Sequence, residues 1–321
     1  MSLAGVCIVS LASGIGEISY LALTSHYPPM VVAAWSSGTG GAGLLGSLAY
    51  AFLTEKSMAN LTPKDAVLLQ LFIPIVFGLT YFCVLIVPED IYPQKLHPKS
   101  SIVSAKPIDI VRKCDSFNWD EENEKSEIKI KSTKLWIPQR TMSFLEKLKL
   151  IPPLLHLMIP LSLIYMSEYL INQGVTQLII FNCSEGFHLN VNAQYRWYQV
   201  LYQFGVLLSR SSVSWFELST WMLLLLPVLQ VTNFTLFLLE SIYWFLPNIS
   251  IVFLFILFTG LIGGASYVNT FNNIHKMVSP DVREFTLSVA SLGDSLGINI
   301  AGFVAIPLHN VVCHLSMPKT R

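Results

Sequence analysis

The sequence predicts an all-α fold, a polytopic bundle of about eight membrane-spanning helices. Three observations lead there. Hydrophobic residues make up 53% of the 321 residues and charged residues only 12%, about half the charge of an ordinary soluble chain, and mean hydropathy is +0.55. Apolar runs of about 20 residues, the length that crosses a bilayer, recur along the chain. Between Ile18 and Thr54 there is no Asp, Glu, Lys or Arg.

That uncharged stretch contains Trp35-Ser36-Ser37-Gly38-Thr39-Gly40-Gly41-Ala42-Gly43-Leu44-Leu45-Gly46. Each glycine would weaken a water-exposed helix by about 1 kcal/mol relative to alanine. In a bilayer the backbone has no partner but itself, and small residues let helices approach closely. Gly38, Gly40, Gly41, Gly43 and Gly46 are therefore read as helix-packing positions. The same residues spell G-x-G-x-x-G, but a dinucleotide site needs a preceding strand and a soluble βαβ unit, and neither is present.

The spans are placed at 2–23, 30–53, 66–87, 151–171, 195–211, 218–239, 247–270 and 285–308. Three lie before a long polar loop and five after it. This divides the chain into an N-terminal bundle (1–87), a loop (88–150) expected to be disordered, a C-terminal bundle (151–313) and a tail (314–321). Short-loop bundles joined by a long linker suggest the two pseudo-repeated halves of many secondary transporters.

Net charge is zero, yet twelve of the 20 Lys and Arg and ten of the 20 acids crowd the central loop. Its cations place it on the cytosolic side. The sequons Asn60-Leu61-Thr62 and Asn182-Cys183-Ser184 fall in loops assigned to the opposite side, so Asn60 and Asn182 are the glycosylation candidates. Asn233-Phe234-Thr235 and Asn248-Ile249-Ser250 lie in or beside spans and are set aside. The loop is as acidic as it is basic, which gives nucleic acid no footing. It suits cytosolic trafficking proteins instead, and the alternative to a transporter is a non-transporting membrane scaffold that regulates trafficking through this loop. Its end, Glu146-Lys147-Leu148-Lys149-Leu150-Ile151, fits either an acidic-dileucine signal or the start of a helix. Five scattered cysteines and unpaired histidines suggest no disulfide framework, metal or cofactor, and no nucleophile–base motif suggests an enzyme.

Ionisable groups inside spans are functional candidates by default. Glu17, Glu168 and Asp294 are each either a proton carrier or a packing carboxyl. Glu168 and Asn172, four apart, share a face near the end of their span. Arg196 and Arg210 bracket an uncharged segment and lie on about the same side of one helix, about 21 Å apart. Arg196, Gln199, Tyr202 and Gln203 on that helix suit recognition of a small anion with a polyol head group, or an aromatic belt with snorkelling arginines. Asn269, Asn272 and Asn273 make a polar stripe that serves either interhelical bonding or substrate contact.

Several of these segments together resemble the battenin family of lysosomal membrane proteins: Ser13-Gly14-Ile15-Gly16-Glu17, Trp35 to Gly46, Glu168-Tyr169-Leu170-Ile171-Asn172-Gln173-Gly174, Tyr195-Arg196-Trp197-Tyr198-Gln199, Ser209-Arg210-Ser211-Ser212 and Tyr267-Val268-Asn269-Thr270-Phe271. The resemblance implies a major-facilitator-like bundle in late endosomal and lysosomal membranes. It also implies roles in glycerophosphodiester efflux, lysosomal pH, autophagy and trafficking. Family members carry about three helices before the point where this sequence starts, so the chain is expected to lack part of the first bundle and, alone, to be retained in the endoplasmic reticulum. The family's terminal C-a-a-X box is matched by Cys313-His314-Leu315-Ser316, but five residues follow it. Prenylation requires the terminal position, so its loss is expected.

Overall fold

The computed structural model describes residues 2–28, 30–55, 58–85, 141–182 and 184–315. Among them are ten α-helices and no strand: α1 (Ser2–Thr24), α2 (Met30–Thr54), α3 (Pro63–Leu69), α4 (Phe72–Leu79), α5 (Phe144–Leu150), α6 (Leu155–Tyr169), α7 (Val191–Ser211), α8 (Thr220–Tyr243), α9 (Ile249–Met277) and α10 (Arg283–His314). All belong to one compact unit, Met1–Val84 with Pro138–Arg321. Nearly all of the loop assigned to trafficking partners, with the run Asp115 to Lys134, lies outside the described residues, as do Cys183 of the second sequon and the tail beyond Leu315.

Among the described residues six segments are long and apolar enough to cross a membrane: Ala4–Thr24, Pro63–Val84, Phe144–Leu178, Thr220–Tyr243, Ile249–Met277 and Arg283–His314. The other two of the eight expected spans are α2 and α7. Both are helices of spanning length, 25 and 21 residues, but Gly, Ser and Thr in one and Gln, Asn, Tyr and Arg in the other hold their hydropathy down. They pack against each other, so each covers the less apolar face of its neighbour.

Helix ends follow local chemistry. The Ser143 hydroxyl accepts from the Glu146 backbone N–H while Glu146 accepts from the Ser143 N–H. This reciprocal cap makes the Glu146–Ile151 segment a helix start. Thr62 and Asn190 cap α3 and α7 by accepting from the Asp65 and Ala193 N–H groups. Pro160, Pro227 and Pro307 sit inside α6, α8 and α10, where neighbouring helices tolerate the break.

Two expected spans are irregular. The third divides into α3, α4 and a π-turn at Thr80–Val84. The fourth, expected at 151–171, begins at Phe144 and runs through a π-segment (Leu170–Val175) to Leu178. Glu168 therefore lies well inside the span and not near its end.

Packing relies on backbone contact. α7 packs on α2 and α9, α6 on α10 and α8, and α1 on α10. A Cβ on Gly260 of α9 would meet Val206 N at 3.0 Å and would also run into Tyr202 O, and one on Gly205 of α7 would meet Leu261 N at 3.1 Å. Gly297 of α10 fits against Ser162 O and Met166 N of α6 in the same manner. On α2, Gly40 faces the Leu207 backbone at 3.1 Å and Gly43 faces the Gln203 amide, with Gly41 in looser contact with Leu207. At Gly38 and Gly46 a Cβ would meet nothing within 4 Å. Only the middle of the glycine run makes the expected contact, because its face toward α7 repeats at helical spacing.

Candidate functional site

Glu17, Glu168, Arg210 and Asp294 converge where α1, α2, α6, α7, α9 and α10 meet. The centre is Arg210 near the end of α7. Its Nη1 donates to Thr39 Oγ1 at 2.6 Å and its Nη2 to Tyr165 Oη at 3.0 Å. The guanidinium lies over the Tyr267 ring, 4.1 Å from the centroid. All three partners are neutral. Among the described residues no carboxylate lies within ion-pair distance of Arg210, and its Nε has no hydrogen-bond partner.

The acids form a second layer. Tyr267 Oη donates to Glu17 Oε1 at 2.7 Å, and Tyr202 Oη donates to Glu168 Oε1. Glu168 is 1% exposed and Asp294 2%. Glu168 Oε2 and Asp294 Oδ1 are buried without a partner. Glu168 occupies the space that a side chain at Gly263 would need, so the glycine of α9 admits the carboxyl. Arg210, Glu17, Asp294, Tyr165, Tyr267 and Thr39 line one cavity of about 450 Å³. α1 contributes Glu17 to it because α1 packs on α10, which brings together two acids 277 positions apart in sequence.

Arg196 occupies a different place. Its Nη2 pairs with Glu55 Oε2 at 2.6 Å, both side chains being mostly shielded. With Gln199, Gln177, Thr176, Tyr195 and Tyr50 it lines a separate cavity of about 610 Å³. That cavity lies at the end of the bundle holding the loops of Asn60 and Asn182. Both of these asparagines are exposed, so the sequon loops share one end. Cys313 belongs to that end too, since His309, one turn earlier in α10, sits against the Gly174 carbonyl at 3.2 Å.

The remaining candidates separate further. Tyr202 holds Glu168, and Gln203 packs on Gly43. Asn269 Oδ1 accepts from the Leu218 backbone N–H at 2.7 Å and its Nδ2 donates to Ala265 O at 2.9 Å. It ties down the α7–α8 connection, and neither it nor Asn272 lines the two polar cavities. Of the stripe, Asn269 thus fixes a loop. The Asn172 backbone carbonyl accepts from Tyr195 Oη at 3.3 Å and from Thr176 Oγ1 at 3.0 Å, while its side-chain Oδ1 is buried without a partner. The sequence reading named Arg210 but gave the anion to Arg196. It also passed over Tyr165, Tyr267 and Gly263, although the spacing of Gly260, Gly263 and Gly264 in an apolar run was a visible sign of a close helix contact.

The family model described as CLN3 protein matches residues 1–315. The chain belongs to the CLN3 protein family. It is 41% identical over 316 residues to battenin of Canis lupus familiaris, across 98% of this chain and 66% of that protein. It is 34% identical to protein btn-1 of Neurospora crassa, across 100% of this chain and 71% of that one, and 36% identical to protein BTN1 of Eremothecium gossypii, across 96% and 75%. The chain thus spans just under two thirds of the dog protein's length. No solved structure matches it. Membership of the CLN3 family and the helical bundle agree on a multi-pass membrane protein.

Proposed function

We propose that this chain is the membrane body of a carrier that exports small anionic solutes, glycerophosphodiesters foremost, from the lumen of late endosomes and lysosomes. The observation that carries the reading is Arg210, a cation in a membrane-embedded cavity whose direct partners are all neutral. A guanidinium so held keeps its charge available, and its planar fork suits two oxygens of a phosphodiester. Thr39, Tyr165 and Tyr169 add hydroxyls to the same cavity, which suits a glycerol or polyol head group. The volume lies within the range of small-molecule sites.

The Arg196 cavity serves in this reading as the vestibule on the luminal side, where the sequon loops lie. Alternating access then rocks helices about the Arg210 cavity. Support for lysosomal pH, autophagy and trafficking follows from solute and proton movement across that membrane. The test is efflux of labelled glycerophosphoinositol from proteoliposomes at internal pH 5 and external pH 7. Loss faster than from protein-free vesicles is expected. Equal loss from both sinks the reading.

A further inference from the structure

The cavity holds more negative than positive charge. Arg210 supplies one cation against the lining carboxyls of Glu17 and Asp294, with Glu168 buried behind them, and an anionic solute adds a further negative charge. Groups facing Asp294 from the surrounding helices are Glu17 and Tyr20 of α1, Tyr165 and Tyr169 of α6, Arg210 of α7 and Tyr267 of α9. Glu168 and Tyr202 stand behind them. A desolvated site in the membrane does not hold several unbalanced charges, so its occupied and empty forms must each approach neutrality.

When the cavity is empty, Arg210 needs one ionised carboxylate as counter-charge. When a monoanion binds, it becomes that counter-charge and the carboxylate must take up a proton. The structure distinguishes the three acids. Glu17 and Glu168 each accept from a tyrosine hydroxyl that fixes them, and Glu168 does not line the cavity. Asp294 lines the cavity with a buried Oδ1 that no group satisfies.

Resting on the carrier reading above, we propose that Asp294 is the exchangeable counter-ion of Arg210. One proton from the acidic side binds Asp294 with each anion, and the neutral carboxyl then donates its O–H to an anion oxygen beside Arg210. On the neutral side the anion leaves, the proton leaves to water, and Asp294 regains its charge. Transport is accordingly electroneutral, one proton for each negative charge on the solute. Glu17 and Glu168, held by their tyrosines, exchange no proton during the cycle and act as positioning residues.

The test uses glycerophosphoinositol with the whole chain in proteoliposomes, a trapped pH dye and clamped membrane potential. One proton per solute and a rate insensitive to potential are expected. A ratio of two, or a rate that follows the potential, overturns the proposal. Asp294→Asn fixes the loaded, neutral form. It should retain exchange of labelled for unlabelled solute while losing pH-driven accumulation at least tenfold. Glu17→Gln and Glu168→Gln should keep a ratio of one. Asp294→Asn with undiminished pH-driven accumulation would also refute it. If Asp294→Asn is inactive in exchange, the ratio measured on the unsubstituted chain decides. Failure of the carrier reading itself is distinct: the unsubstituted chain then shows no solute exchange at all.

Discussion

Arg210 stacks its guanidinium on Tyr267 at 4.1 Å, and Tyr267 in turn donates its hydroxyl to Glu17 at 2.7 Å. One tyrosine therefore stands between the cation and an acid that would otherwise pair with it. The ring face attracts the cation while the hydroxyl occupies the carboxyl. Arg210 is left next to an acid without being neutralised by it, which is the electrostatic condition for accepting an anion from outside.

Tyr267→Phe tests that separation. The variant keeps the ring under Arg210 and removes the hydroxyl held by Glu17. A direct Arg210–Glu17 pair is then expected to form and compete with the solute. The apparent Km for glycerophosphoinositol should rise by about tenfold, or about 1.4 kcal/mol, with little change in thermal stability. An unchanged Km, measured in the efflux assay, would show that the hydroxyl plays no part in keeping Arg210 available.

The glycine contacts make a stability prediction. Gly260→Val adds bulk where α9 meets the Tyr202 carbonyl and the Val206 N–H, so α7 and α9 must separate. A loss of about 1–3 kcal/mol is expected, read as a lower melting temperature in detergent. Gly38→Ala, which meets nothing within 4 Å, should leave the melting temperature unchanged or slightly raised. Equal effects from both would mean that the backbone contact does not hold these helices together.

Much of this fold was legible in the sequence, and the site only in part. Apolar length and the absence of charge located the helices, and the sequons and loop charges suggested which loops share an end. What the sequence does not encode locally is which helix faces meet. Glu17 and Asp294 stand at opposite ends of the chain and reach one cavity only because α1 lies on α10. Arg196 and Arg210 look equivalent on a helical wheel, yet Arg196 meets a carboxylate and Arg210 meets hydroxyls and a ring. The asparagine stripe was visible as polar and interhelical, but its partner, the Leu218 backbone, sits in a loop that periodicity cannot place.

The Arg196–Glu55 pair predicts a charge-swap rescue. Arg196→Glu leaves two acids facing each other at the vestibule and should slow efflux at least tenfold. Adding Glu55→Arg restores an opposite pair and should recover a large part of the rate. Failure of the double variant to recover, with normal amounts of folded protein by size-exclusion chromatography, would instead make Arg196 a direct contact of the solute.

Glu217, outside the spans, carries the pH prediction. The Lys276 ammonium donates to both of its oxygens at 2.6 Å, and this bond holds the Glu217 carboxyl below its ordinary value. A carboxyl so lowered contributes stability above its unfolded value and loses it as pH falls through the folded one. The tie between α9 and the α7–α8 connection should therefore hold at neutral pH and weaken only at pH below the usual carboxylate range. Both side chains are well exposed, so the effect should be small and reduced by salt. Carbon-13 titration of Glu217 should show its midpoint rising in Lys276→Met. An unmoved midpoint would contradict the pairing.

The most direct test of the account is binding of labelled glycerophosphoinositol to the purified chain at pH 5, compared with Arg210→Gln. The substitution removes the charge and the stacked guanidinium while leaving a shorter side chain whose amide still donates. Saturable binding by the unsubstituted chain and affinity at least tenfold weaker in Arg210→Gln are the predicted results. Equal affinity in the two proteins, both shown to be folded by their melting curves, would contradict the claim that Arg210 is the anion site.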